Sequence, residues 1–364
     1  MKIAIMTLHS QNSNYGTILQ AYGLKQYLTV QGYETEIIDY RPSYSNGAIG
    51  FKGKVKAACI YTLFLPYYVK RSLKFTKFIK ENDNLSHKRY RNYKQLCKDS
   101  IKADIFISGS DQIWNPMYEC GKDDAYFLKF TNSPNKIAYA SSLGTSDLSE
   151  ENYANICNKI KDYKFISVRE KGSQQELVRR GIERTKHVCD PVFLLNSDEY
   201  RKIYNYKKQE KYILVYAVHK DDFLSEIVDN VSKITGLKVI QVGGFAKKCN
   251  YDEFPRGIGP REFIGYIDNA ELVITSSFHG TAFSLIFNKK FIVVPPKSNR
   301  LRLDSILEMT HTKDRIVNSR DDVYRVIEKD INYNDVNSKL DSFIKYSKEY
   351  LNRSIKDTID ESND

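Results

Sequence analysis

Residues 275–281 read Thr-Ser-Ser-Phe-His-Gly-Thr, and this run holds side chains suited to proton and phosphate chemistry. His279 is of the type that titrates nearest neutrality, so it can give and take a proton in turn. Ser276, Ser277 and Thr281 set hydroxyls around it, with Gly280 between. Residues 272–274, Leu-Val-Ile, read as a buried strand, residues 281–287 as a helix and residues 291–295 as the next strand. His279 and Gly280 then stand where the strand of a βαβ unit hands over to its helix. Ligands of open parallel sheets bind outside the carboxyl ends of the strands. A helix start there offers unpaired N–H groups and a positive dipole end to an anion. The run supports an acid–base histidine beside an anion site; it also fits a histidine that only caps or packs the turn.

The rest of the chain must position this site. Its 364 residues exceed one ordinary core and predict two domains. The first is expected over residues 1–200, with a basic and apolar insertion at 41–98. The second is expected over 211–330, followed by a helix at 336–359 that crosses back to the first. Residues 2–8, nearly all apolar, read as a central parallel strand. The polar loop 9–16 follows, then an amphipathic helix over 17–31 and a strand over 34–40. This opening lacks a GxGxxG string, so a dinucleotide is not implied. Asn14, Tyr15 and Gly16 lie where a ligand crevice would be. After a strand at 103–108 comes Gly109-Ser-Asp-Gln-Ile-Trp114, which again puts small residues and an acid, Asp111, at a strand end. The lone Trp114 fits a sugar-stacking platform or a core position. Residues 165–169 form a strand ending in Arg169, and Asp190 precedes Pro191 in a string that either orients a reacting group or holds a turn.

Composition narrows the partners. The net charge is +11, and residues 52–98 carry thirteen Lys/Arg against two Asp/Glu, which accounts for all of it. No base-reading motif accompanies this charge, so nucleic acid is not expected. The apolar run 59–69 followed by Lys70, Arg71, Lys74 and Lys77 fits a basic amphipathic helix on an anionic membrane, or one packed on the protein with a solvated basic face. The six cysteines are scattered, and no metal site or disulfide framework is indicated. With no signal peptide and no membrane-spanning run, the expected location is cytoplasmic, peripheral at the inner face of the membrane.

Six strings occur in order: Asn14-Tyr-Gly-Thr-Ile-Leu-Gln20, Ser108-Gly-Ser-Asp-Gln-Ile-Trp114, Ile137-Ala-Tyr-Ala-Ser-Ser142, Ser167-Val-Arg-Glu170, Asp190-Pro191 and Ser276-Ser-Phe-His-Gly280. As a set they resemble the polysaccharide pyruvyltransferase family, from the N-terminus to about Arg315. The resemblance implies an α/β fold of two Rossmann-like doubly wound domains facing a cleft, GT-B-like. It implies transfer of a pyruvyl group from phosphoenolpyruvate to two sugar hydroxyls, giving a ketal in surface or capsular polysaccharide. The family's histidine falls on His279 and its strand-end arginine on Arg169. Many members carry an arginine two residues before the histidine; Ser277 stands there instead.

On this reading the catalytic set is His279, Asp111 and Asp190. Phosphoenolpyruvate is expected on Arg169, Ser276, Ser277, Gly280 and Thr281, with Lys297, Arg300 or Arg302 supplying the missing cation. The carbohydrate acceptor is expected on Asn14, Tyr15, Gly16, Ser110, Gln112 and Trp114, carried on a lipid or a nucleotide, with the basic stretch favouring a membrane-borne lipid diphosphate. Neither a metal nor a cofactor beyond the donor is required. Two other functions fit the same residues: a nucleotide-sugar glycosyltransferase of GT-B type, and a non-catalytic sugar- or lipid-carrier-binding protein of polysaccharide assembly.

Overall fold

The computed structural model describes residues 1–9, 14–46, 51–208, 210–217, 221–243, 247–296 and 300–363. The chain divides into two compact units. The first comprises residues 1–49, 79–195 and 341–364; the second comprises residues 50–78 and 196–340.

The first unit is built on six strands: β1 (Lys2–Met6), β2 (Glu34–Ile37), β3 (Ile105–Ser108), β4 (Lys136–Ser141), β5 (Phe165–Val168) and β6 (Thr185–His187). Their order is β2-β1-β3-β4-β5-β6, all parallel. Helices cover both faces of such a sheet, which is why Ile3, Ala4 and Ile5 and then Ile105, Phe106 and Ile107 read as unbroken apolar runs. The helix Tyr15–Val30 starts on Asn14, whose side chain accepts from the Gly16 and Thr17 amides. Its Gly23 lies against the Asp190-Pro191 turn: a Cβ there would come 2.4 Å from the Pro191 carbonyl oxygen. From β1 the chain adds β2 on one side and β3 on the other, so the topological switch point lies between β1 and β3.

The second unit holds β7 (Tyr212–Tyr216), β8 (Lys238–Val242), β9 (Leu272–Thr275) and β10 (Lys290–Val293), ordered β10-β9-β7-β8 and all parallel. Its switch point lies between β7 and β9. The long helix Phe51–Asn82 belongs to this unit up to residue 78. Arg261 lies over the Phe78 ring at 5.6 Å, Lys74 pairs with Glu262, and Gly257 passes close to the Tyr67 carbonyl. Sequence patterning places all of 41–98 with the first domain; the long-range contacts, invisible in the sequence, assign most of the helix to the second. The last helix runs Tyr333–Asn363. In the second unit, Tyr333 donates to the Lys289 carbonyl. In the first, Tyr350 donates to the Ile166 carbonyl at 3.0 Å, and Ser347 accepts from the Cys189 amide at 2.9 Å.

Candidate functional site

In the second unit, the switch point is tied together by one hydroxyl. Thr275, the last residue of β9, donates through Oγ1 to the Tyr216 carbonyl at the end of β7 (2.6 Å) and accepts from the Ser277 amide (3.0 Å). The helix Phe278–Ile286 follows at once. Gly280 lets it sit on the strands: a Cβ there would lie 2.2 Å from Thr275 Oγ1 and 3.1 Å from Tyr216 Cδ1. His279 therefore stands in the first turn of a helix that opens at the carboxyl edge of the sheet. It is 6% exposed, with its ring edge-on to Phe278. Ser277 is the N-cap residue, yet its side chain makes no cap hydrogen bond. Thr281 is fully buried, and its hydroxyl donates back to the Ser277 carbonyl at 3.2 Å. It serves the helix, so the expected donor contact through that hydroxyl does not fit its placement. Arg300 precedes the helix Leu301–Met309, which follows β10; its side chain is 40% exposed and reaches to 3.7 Å from Asp304. Arg302 is half-buried on the same helix. Lys297 lies outside the described residues.

In the first unit, the loops after β1 and β3 meet at the switch point. Asp111 takes a φ of +70°, a left-handed conformation that costs a non-glycine residue energy and recurs at functional sites. Its Oδ2 accepts from Thr17 Oγ1 (2.6 Å) and its Oδ1 from the Gln112 amide (2.9 Å). Arg169, with its side chain 1% exposed, sits among three carboxylates: Asp190, Asp111 at 3.5 Å and Glu170 at 3.5 Å. Burial opposes its charge, but the attraction of the carboxylates wins and raises the guanidinium above its ordinary value. Asp190 also accepts from the Val192 amide at 3.0 Å and so holds the turn before Pro191.

This geometry corrects parts of the sequence reading. Arg169 is enclosed and engaged with carboxylates, which is the environment of a structural arginine rather than of a donor clamp. Asp190 is buried in the same network. Trp114 is fully buried, stacked on Phe127 at 5.6 Å, and donates to the Tyr126 carbonyl, so it offers no face to a sugar. Ser110 and Tyr15 are buried, and Gln112 accepts from Asn115 at 2.8 Å. Asn14 is exposed as the helix cap, with Gly16 buried behind it. Glu170 and Thr17, both partners in the buried network, are not among the expected site residues. Their signal in the sequence is membership of the strings at 167–170 and 14–20. Among the described residues no cluster of His, Cys, Asp and Glu could hold a metal ion.

A family model described as polysaccharide pyruvyl transferase matches residues 14–298, most of the chain and all of the strand-end residues from Asp111 to His279. The chain belongs to the polysaccharide pyruvyl transferase family. No curated protein matches it. Solved structures resemble this pyruvyl transferase family member in fold. UDP-N-acetylglucosamine 2-epimerase from Rickettsia bellii has 11% identity and a TM-score of 0.53, covering 100% of this chain and 98% of that one. The UDP-GlcNAc 2-epimerase from Methanocaldococcus jannaschii has 13% identity and a TM-score of 0.52, with 91% and 93% covered. Arabidopsis thaliana UGT89C1 complexed with UDP has 8% identity and a TM-score of 0.56, with 98% and 99% covered. The fold is thus α/β, with two parallel-sheet units of GT-B type.

Proposed function

We propose that this transferase moves a pyruvyl group from phosphoenolpyruvate onto two hydroxyls of a sugar in a surface polysaccharide. The observation that supports it most is His279, held at the β7–β9 switch point in the first turn of a helix, inside a pyruvyl transferase family match. The helix start suits the donor's phosphate, and Arg300 and Arg302, at the start of the helix after β10, are the candidates for its carboxylate. In the reaction the methylene carbon of phosphoenolpyruvate takes a proton and a sugar hydroxyl adds to the carbon bearing oxygen, losing its own proton. The bond to the phosphate oxygen then breaks, inorganic phosphate leaves, and a second hydroxyl adds and loses its proton to close the ketal. His279 carries protons between these steps. Asp111 orients the groups around its own loop, and Arg169 acts by holding Asp111 and Asp190.

Thermal unfolding with phosphoenolpyruvate, UDP and pyruvate added separately tests this. A ligand at a hundred times its dissociation constant stabilises by about 2.7 kcal/mol. Stabilisation by phosphoenolpyruvate is expected. A shift with UDP alone would move the reading to a nucleotide-sugar glycosyltransferase, a direction favoured by the fold it shares with a UDP-bound plant structure. No shift with any of the three would favour a non-catalytic role in polysaccharide assembly.

Among the described residues no helix is long and apolar enough to cross a membrane. The helix Phe51–Asn82 nevertheless leaves Leu65, Val69 and Leu73 exposed at a spacing of four, by 48%, 48% and 65%, with Lys70 and Lys77 beside them. We infer a peripheral contact with an anionic membrane through this stripe. Arg71 is buried and Lys74 is paired, so neither belongs to the contact.

A further inference from the structure

At the carboxyl end of β2, one carboxylate gathers three basic side chains. Asp39 is 4% exposed. His9 Nε2 lies 3.1 Å from its Oδ1, while His9 Nδ1 lies 3.2 Å from the Thr7 carbonyl. Arg41 donates through Nε to Oδ1 at 2.5 Å, and Arg89 through Nε to Oδ2 at 2.9 Å. The backbone brings these segments together, because the Tyr90 amide donates to the Asp39 carbonyl and the Arg41 amide to the Tyr90 carbonyl, each at 2.8 Å. Burial alone would raise the Asp39 carboxyl, but the hydrogen bonds from His9, Arg89 and Arg41 prevail and hold it well below the usual carboxylate range.

The Arg41 and Arg89 side chains are partly exposed, by 30% and 50%. Each spends Nε on Asp39, and among the described residues their terminal amino groups make no hydrogen bond. Two arginines against one carboxylate leave positive charge in excess. Asp83 does not cancel it: it is wholly buried, and desolvation, though opposed by Lys25 and Arg41, pushes it toward the neutral acid. Two arginines held by Nε on the two oxygens of one carboxylate keep their terminal amino groups for further acceptors, a fit for paired phosphates.

We propose that Arg41 and Arg89, oriented by Asp39 and backed by His9, form a binding site for the diphosphate group of the acceptor's carrier. This deepens the acceptor half of the proposed reaction and rests on that reading for its role, while the anion chemistry stands on the geometry alone. Two sources share that chemistry, an isoprenoid diphosphate and a nucleotide diphosphate.

Calorimetric titration of the full chain with pyrophosphate, geranyl diphosphate and UDP decides between them. Arg89→Gln is expected to weaken the tighter of the two organic diphosphates about tenfold, the loss of a charge-assisted pair. R41Q/R89Q should abolish measurable binding, and Arg89→Lys, which keeps the charge and loses the fork, should fall between Arg89→Gln and the parent. Arg91→Gln removes the same charge nearby and should change affinity by less than about twofold, since a screened surface charge contributes little. If R41Q proves unfolded in a melting control, Arg89→Gln and Arg89→Lys still decide. The proposal is overturned if no diphosphate binds the parent protein, if binding survives in the double variant, or if Arg91→Gln costs as much as Arg89→Gln. Phosphoenolpyruvate titrated into the same variants should bind as in the parent. Its failure to bind the parent would remove the pyruvyl reading and leave the diphosphate site standing.

Discussion

At the residue scale, the two strand-end clusters call for opposite outcomes on mutation. A positioned acid–base group contributes about 10²–10⁴ in rate. His279→Ala should therefore lower turnover by that factor, with the melting temperature and phosphoenolpyruvate affinity little changed. Turnover within a few-fold of the parent would remove His279 from the mechanism. Arg169 is different, because its charge is buried among Asp190, Asp111 and Glu170. Truncating one partner of a buried ionic network strands the others, at a cost of about 3–5 kcal/mol. Arg169→Met should lose stability of that order in urea unfolding, while the fraction still folded binds phosphoenolpyruvate as before. A weakened donor affinity in folded protein would restore Arg169 as a donor ligand. Asp39 gives a pH signature. Its folded value lies below the unfolded value of about 3.9, so its contribution is complete above that pH and is lost as the pH falls below it. Unfolding free energy measured from pH 5 downward should decline less steeply in Asp39→Asn than in the parent.

At the element scale, two close approaches fix where helices sit. The helix Tyr15–Val30 meets the Pro191 turn at Gly23, where the opposing atoms are backbone and cannot swing aside. Gly23→Ala should cost about 1–3 kcal/mol, the range for overpacking a core, read from the urea midpoint. An unchanged midpoint would mean that the turn gives way. Gly280 plays the same part for the helix that carries His279, with Thr275 and Tyr216 as the atoms met. The helix Phe51–Asn82 shows how an element's partner is chosen. Its Lys74 and Phe78 meet Glu262 and Arg261, which leaves Leu65, Val69 and Leu73 outward.

At the scale of the whole molecule, that outward stripe predicts a surface property. Binding to vesicles containing anionic phospholipid should weaken about fivefold per lost cation in Lys70→Gln or Lys77→Gln, as expected for about 1 kcal/mol per basic side chain near such a surface. Leu73→Glu should lower it further. Equal sedimentation with neutral and anionic vesicles, or no effect of these changes, would remove the membrane contact. Each unit has its own parallel sheet and core, and each opens its switch point at the carboxyl edge of that sheet. The GT-B-type fold shared with epimerases and a plant UGT supplies that layout; the chemistry comes from the side chains placed on it.

The sequence alone determined what depends on neighbours along the chain. Unbroken apolar runs marked the buried parallel strands, because two-sided burial leaves no polar face to alternate with. The Thr-Ser-Ser-Phe-His-Gly run marked a strand-to-helix handover, and the ordered strings marked the family. Tertiary structure decided which strand-end residues face one another and which are spent on each other. Arg169 looks like an anion ligand in the sequence, and only the fold brings Asp111 and Asp190 onto it, across 58 and 21 positions respectively. Trp114 looks like a platform until Phe127 covers it. Arg41 and Arg89 look like two of fourteen basic residues between positions 41 and 98 until the Tyr40–Tyr90 pairing sets both on Asp39. Pairing across such distances is fixed by packing and register, and neither can be read from spacing.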